Sequence, residues 1–203
     1  MNRPSNRAAI AASGRTARAT ARQAELFDAI VVLFLAEGFA DTTLDQLSAR
    51  LRCSKSTLYA LAASREQLIR AAVVHFFRRA AAHVEDRIAG LDTGTGRVGA
   101  YLDGVAQELA PAEPSFYADV TAFGPAREIY ERNTVLAAQR VGELIDEGIS
   151  AGAYRRVDPV LAADLISAAM TRIADGGVGR ATGRDDAAAF RALADLIMDG
   201  LRA

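Results

Sequence analysis

Apolar residues recur along most of this chain at intervals of three and four, a spacing that predicts helices and requires no strand. From Arg22 to Glu37 the set Leu26, Ile30, Leu33 and Phe34 forms one stripe, Val31, Val32 and Leu35 widen it, and Gly38 ends it. Thr43-Leu44-Asp45-Gln46 reads as a capping box opening a short helix with Leu44, Leu47 and Leu51 on one face. Ser54 then caps a second short helix that ends near Leu61, and Ser64-Arg65-Glu66-Gln67 opens a long one that carries Leu68, Ile69, Val73, Phe76 and Phe77 toward Gly90. Beyond it, breaks fall at Thr93 to Gly96, Pro111 to Pro114, Gly124-Pro125, Gly152, Asp158-Pro159 and Gly176 to Gly183. The last two helices are expected over 159–175 and 185–202, the first opened by an N-cap aspartate and a proline whose missing N–H is not needed there. The expected fold is all-α, with about nine helices.

Two short helices joined by a tight turn at Leu51 to Ser54, with a buried helix before them and a long helix after, make a helix-turn-helix. The second short helix of such a unit lies in the major groove, so its outward residues should be small or polar. Ser54, Lys55, Ser56, Thr57 and Tyr59 suit that position, while Leu58 falls on the face that must pack against Leu47. Hydroxyls and the lysine ammonium supply phosphate contacts, and Thr42 or Thr43 at a helix N-terminus adds backbone N–H donors. Base choice falls to Ser56, Ala60, Leu61 and Lys55, where an apolar side chain meets a thymine methyl.

Charge strengthens this reading. The net charge of -1 conceals twelve basic against six acidic residues in 1–80 and twelve against nineteen beyond, so a basic head precedes an acidic body. A basic head suits a polyanion. Residues 1–21 have no acidic residue and no apolar face, and read as a flexible basic arm. Its arginines can follow the negative potential of a minor groove, or remain a solvated tail that raises nonspecific affinity.

In order and spacing, Ala36 to Leu44, Ser54 to Tyr59 and Ser64 to Leu68 together resemble the DNA-binding domain of the tetracycline-repressor (TetR) family. Ile145-Asp146-Glu147-Gly148-Ile149, Gly152 and Asp158-Pro159 resemble that family's regulatory domain. The sequence departs from the pattern at Arg52, where the family usually carries glycine and a left-handed backbone costs a side chain roughly 1 kcal/mol. It departs again at Ala60-Leu61-Ala62-Ala63, which lacks the family's usual second aromatic. The resemblance implies a homodimer on double-stranded operator DNA, answering to a small-molecule effector and usually repressing. It divides the chain into the arm, a DNA-binding domain over 22–77 with its motif at about 42–61, and a helical regulatory and dimerisation domain over 78–203.

In that second domain Tyr101, Phe116, Tyr117, Phe123, Tyr130, Met170 and Arg172 surround the expected cavity, and His83, Tyr117, Phe123 and Arg172 are the ligand-contact candidates. Leu161, Leu165, Ile166, Leu193, Ile197 and Leu201 are expected to pack against their copies in a four-helix interface. No cofactor and no metal are expected. One cysteine, Cys53, excludes an intrachain disulfide and a cysteine-based zinc site. His75 and His83, eight residues apart, lie about 12 Å apart along a helix and cannot share a metal. Gly94 to Gly99 fits a dinucleotide fingerprint but has no strand before it. No Ser/His/Asp set or paired carboxylate points to an enzyme. With no apolar run of about 18 residues and no signal-like core after the first arginines, a cytoplasmic protein without a membrane partner is expected. The competing readings are a helical small-molecule carrier or enzyme without operator specificity, and an architectural DNA-binder without a ligand.

Overall fold

The computed structural model describes residues 6–92 and 96–202. Among them lie ten helices and no strand: α1 (Asn6–Glu37), α2 (Leu44–Arg50), α3 (Lys55–Leu61), α4 (Arg65–Ala89), α5 (Arg97–Leu109), α6 (Pro114–Ala122), α7 (Gly124–Ser150), α8 (Pro159–Ala174), α9 (Gly177–Thr182) and α10 (Asp186–Leu201). The helix beyond the nine expected is α9, bounded by Gly176 and Gly183, both with φ of 72°. Glycine adopts that conformation without steric cost, so the stretch expected to be a plain break holds a short helix between two reversals.

The expected arm is also changed, because α1 begins at Asn6 and not near Arg22. Alanine and arginine dominate that stretch, and both are strong helix formers. Residues 1–5 lie outside the described residues, as do Gly94 and Thr95 of the glycine-rich fingerprint; its remainder opens α5, which follows a helix.

α1, α2 and α3 pack with the first half of α4 around Ile30, Phe34, Leu47, Leu58, Leu68 and Ile69. Val31 and Leu35 are buried as the stripe predicts, but Val32 is 60% exposed and lies off the buried face. α4 continues into the body, where Val84 and Ile88 are buried with Val98 and Leu102 of α5 and Val141 of α7. One helix therefore belongs to both cores.

A second connection runs through α6. Phe39, just past α1, packs edge-on against Phe116 of α6 and against Phe123, each with ring centroids 6.2 Å apart. Glu113 donates its backbone N–H to the Leu35 carbonyl at 2.8 Å. The turn from α1 to α2 is thereby pinned from the body side.

Candidate nucleic-acid interface and effector cavity

Thr43 and Gln46 form a reciprocal capping box: Thr43 Oγ1 accepts the Gln46 N–H at 3.2 Å, and Gln46 Oε1 accepts the Thr43 N–H at 2.8 Å. The Thr42 N–H donates to the Phe39 carbonyl at 3.2 Å. Both backbone donors expected to reach a phosphate are thus engaged inside the protein, a correction forced by the need to close the turn and cap α2.

Arg65 fastens the same turn. Its Nε donates to the Thr42 carbonyl and its Nη2 to the Phe39 carbonyl, both at 2.6 Å, and Nη2 also reaches the Ala40 carbonyl. At the other end of α2, Arg52 has φ of 49° and is the one non-glycine residue with positive φ among the described residues. The left-handed turn usual at a glycine is therefore retained with an arginine in it.

Ser54 caps α3, its Oγ accepting the Thr57 N–H at 3.1 Å and lying 2.7 Å from Ser56 Oγ and 2.8 Å from Thr57 Oγ1. Leu58 is 1% exposed and anchors the helix, so Lys55, Ser56, Tyr59 and Ala60 face outward. Thr57 is half-buried. Leu61 is half-buried too, packing on the core and lining a surface cleft of about 460 Å³ with Arg70, Val74 and Arg78. The end of α3 turns toward α4, so the base-contact expectation at Leu61 does not fit the position of its side chain. Lys55 pairs with Asp45, whose hydrogen bond and charge raise the ammonium's pKa, so a phosphate must compete for it.

The body contains a cavity of about 240 Å³ among α4, α5, α7, α8 and α10. Phe76, Phe77, Tyr130, Met170 and Phe190 form its inner wall, and Glu85, Glu108 and Arg140 stand in its lining. Tyr101, Tyr130 and Met170 were within the cavity region read from sequence. None of the four ligand-contact candidates lines it. His83 is exposed with Nδ1 3.1 Å from Glu108 Oε1; Tyr117 donates its hydroxyl to the Leu109 carbonyl at 3.3 Å; Phe123 packs on Phe39; Arg172 is exposed on α8. Glu85, Glu108 and Arg140 escaped the sequence reading because carboxylates and a guanidinium on separate helices share no local pattern. Phe76 and Phe77 carried a signal only as core residues.

Burial, then Tyr130 and neighbouring aspartates acting against each other, sets the state of Asp186 beside this wall. Desolvation pushes its carboxyl up to about 6, although the Tyr130 hydroxyl, donating at 2.6 Å, pulls it back. Tyr101 is pushed up to about 12, first by burial and then by the charge of Glu85.

On α8 and α10 the expected interface residues divide. Leu161 and Leu165 are 56% and 61% exposed, as Val160 and Leu196 are to a still greater degree. Ile166 and Leu201 are 6% and 4% exposed and belong to the protomer's own core, with Leu193 and Ile197 half-buried against it. Helical periodicity accounts for the split, since Leu161 and Leu165 share a face that Ile166 leaves by 100°. Among the described residues no helix is long and apolar enough to cross a membrane, and no group of three or more His, Cys, Asp or Glu could hold a metal.

Residues 26–72 match the profile of the family described as bacterial regulatory proteins, tetR family. No curated protein sequence matches the chain. Among solved structures, a Saccharomonospora viridis protein in complex with choline shares 15% identity, with 91% of this chain and 99% of that one covered and a TM-score of 0.68. A TetR transcription regulator from Haloarcula marismortui shares 17% over 90% of this chain and all of its own length, again with a TM-score of 0.68. The transcriptional regulator FadR from Bacillus subtilis, in complex with stearoyl-CoA, shares 14% over 87% and 98% of the two chains, with a TM-score of 0.59. The segment that holds α2 and α3 is therefore similar to the tetR family of bacterial regulatory proteins, and the chain as a whole shares the fold of these solved structures.

Proposed function

We propose that this chain is a ligand-responsive DNA-binding transcriptional regulator, acting as a repressor that a small molecule releases from its operator. The observation that carries the reading is the outward face of α3, where Lys55, Ser56, Tyr59 and Ala60 are exposed on a helix anchored by Leu58 inside the family-matched segment. A helix so placed enters the major groove, with Ser54, Thr57 and the start of α2 at Thr42 and Thr43 beside the phosphates.

The exposed apolar side chains of α8 and α10 support a homodimer. Val160, Leu161, Leu165 and Leu196 offer a face that a second copy would bury. Two heads so joined would read half-sites about one DNA turn, roughly 34 to 36 Å, apart.

The cavity supports an effector, and distinguishes this reading from an architectural binder without one. α4 lines the cavity with Phe76, Phe77 and Glu85 and begins in the head at Arg65, so an effector that prefers a displaced α4 would change the separation of the two recognition helices. A spin label on each α3 measures that separation; an effector that releases DNA without changing it refutes the mechanism.

DNA binding is tested by fluorescence anisotropy of the purified protein on its own upstream intergenic DNA beside a scrambled duplex, at several salt concentrations. Tight sequence-dependent binding with a steep salt slope is expected. Equal binding to both duplexes overturns the regulator.

A further inference from the structure

The inner wall of the cavity is aromatic and aliphatic, with Phe76, Met170 and Phe190 each no more than 2% exposed. Its open side is charged: the Glu85 and Glu108 side chains are 45% and 22% exposed. The cavity thus has an apolar bottom and a carboxylate rim.

The one guanidinium in the lining is already taken. Arg140 donates through Nε to Glu85 and through Nη1 to Glu143, both at 2.9 Å, and lies 3.4 Å from Glu147. Glu147 is held in turn by Arg97, whereas no arginine or lysine among the described residues pairs with Glu108, whose neighbour is His83. Two carboxylates, Glu85 and Glu108, thus face one guanidinium in the lining, and outside it Glu143 and Glu147 share Arg140 and Arg97. An incoming carboxylate or phosphate would find no free cation and would have to displace a glutamate from Arg140. A cation would find a carboxylate surplus and aromatic ring faces, whose quadrupole attracts positive charge.

Within the wall, Tyr130 stacks on Phe77 with centroids 5.3 Å apart and donates its hydroxyl to Asp186, which lies behind it. That hydrogen bond makes the ring more electron-rich. The Tyr101 hydroxyl, near Glu85 and Arg140, has no hydrogen-bond partner among the described residues.

We propose that the effector of this cavity is an organic monocation with an apolar body, its charged nitrogen at the rim facing Glu108 and Glu85 and its body among Phe76, Phe77 and Tyr130. This assignment rests on reading the cavity as the effector site, and adds the chemical class of the effector.

Three probes of similar shape separate charge from shape: benzyltrimethylammonium, its uncharged isostere neopentylbenzene, and 4-tert-butylbenzoate. Each is titrated into the full-length protein by calorimetry, with saturation-transfer NMR for the sparingly soluble neutral probe. The cation is expected to bind at least tenfold tighter than the neutral isostere, with the carboxylate weakest. Glu108→Gln should remove most of the cation's advantage and leave the neutral probe's affinity unchanged; Glu108 lies near the surface, and circular dichroism verifies the variant's fold. Equal or tighter binding of the neutral or anionic probe, failure of the cation to bind, or a full cationic advantage in both Glu108→Gln and Glu85→Gln overturns the assignment. Anisotropy on operator DNA is run in parallel. Sequence-specific DNA binding that persists while the cation fails removes the cation assignment alone, and a cation that binds to a protein without operator specificity removes the regulator reading alone.

Discussion

Asp119 of α6 accepts the backbone N–H of Ala40 at 2.7 Å, and the same Oδ2 accepts the N–H of Phe39. A body residue thus caps the turn that leads from α1 into the helix-turn-helix, while Arg65 gathers carbonyls from the same turn. Gly38, with φ of +78°, gives the carboxylate room: a Cβ there would lie 2.4 Å from Asp119 Oδ2. Removing the acceptor leaves two N–H groups to find water. Asp119→Ala is expected to cost about 1–3 kcal/mol in urea unfolding, with Asp119→Asn retaining part of the contribution through its carbonyl. An unchanged midpoint in the alanine variant would show that solvent satisfies the turn equally well.

Arg52 holds a left-handed conformation that its Cβ disfavours. Arg52→Gly removes that strain and should stabilise the protein by about 0.5–1 kcal/mol, a rise in Tm of roughly 1–4 °C for a chain of this size. Arg52→Ala keeps a Cβ and should give no such gain. If glycine stabilises no more than alanine, the strain is relieved elsewhere in the turn.

Local patterns carried the helices whose ends have chemical markers. Thr43, Ser54, Ser64 and Asp158 each cap the helix read from them, since a side chain that satisfies an orphan N–H three residues away is a local event. α9 was missed because its boundaries rest on two glycine φ angles, which a sequence marks only as places where the chain can turn. The cavity was legible as a region through Tyr101, Tyr130 and Met170, but not as a constellation. Glu85 and Arg140 lie 55 positions apart and meet only once α4 and α7 have packed. The interface leucines show the same limit: periodicity names the apolar positions of α8, while tertiary packing decides that Ile166 faces inward and Leu165 outward.

On α3, charge and shape should separate in binding assays. Lys55→Ala removes a phosphate partner and is expected to weaken binding to operator and scrambled DNA alike, lowering the salt slope by about 1. Tyr59→Ala and Ser56→Val act on the outward face and should lower operator affinity more than scrambled-duplex affinity, because base-edge contacts alone carry sequence. If all three variants scale both duplexes equally, the face of α3 does not read bases.

Leu161 and Leu165 are solvent-exposed in the protomer, so their replacement tests association without disturbing a core. Leu161→Glu with Leu165→Glu should shift the sedimenting species from dimer to monomer at micromolar concentration and abolish binding to a two-half-site operator. Ile166→Ala, in contrast, opens a cavity in the protomer and should cost about 2–5 kcal/mol of stability. A double glutamate variant that stays dimeric would place the interface on another face.

Asp186 provides a pH-dependent test of the packing behind the cavity. Burial raises its carboxyl from 3.8 to about 6, against the pull of the Tyr130 hydroxyl. The folded protein therefore holds this proton to higher pH than the unfolded chain does. Its contribution to stability is fully present below pH 4, falls as the pH rises toward about 6, and stays at the lower level above it. That difference is worth roughly 2–3 kcal/mol. Asp28 acts in the opposite sense: burial raises its carboxyl, but hydrogen bonds from His75 and Arg79 lower it further, so its stabilisation fades as the pH falls. The two effects overlap in the wild-type curve, and the difference between proteins isolates one of them. Asp186→Asn cannot ionise, yet its amide oxygen can still accept the Tyr130 hydroxyl. Urea unfolding at pH 4, 5, 6 and 7.5 should show the variant matching the wild type at pH 4 and exceeding it by an amount that grows to pH 6 and then levels. A variant equally or less stable at pH 7.5 would mean that the ionised carboxylate is well accommodated behind Tyr130, and that this side of the cavity carries its negative charge at little cost.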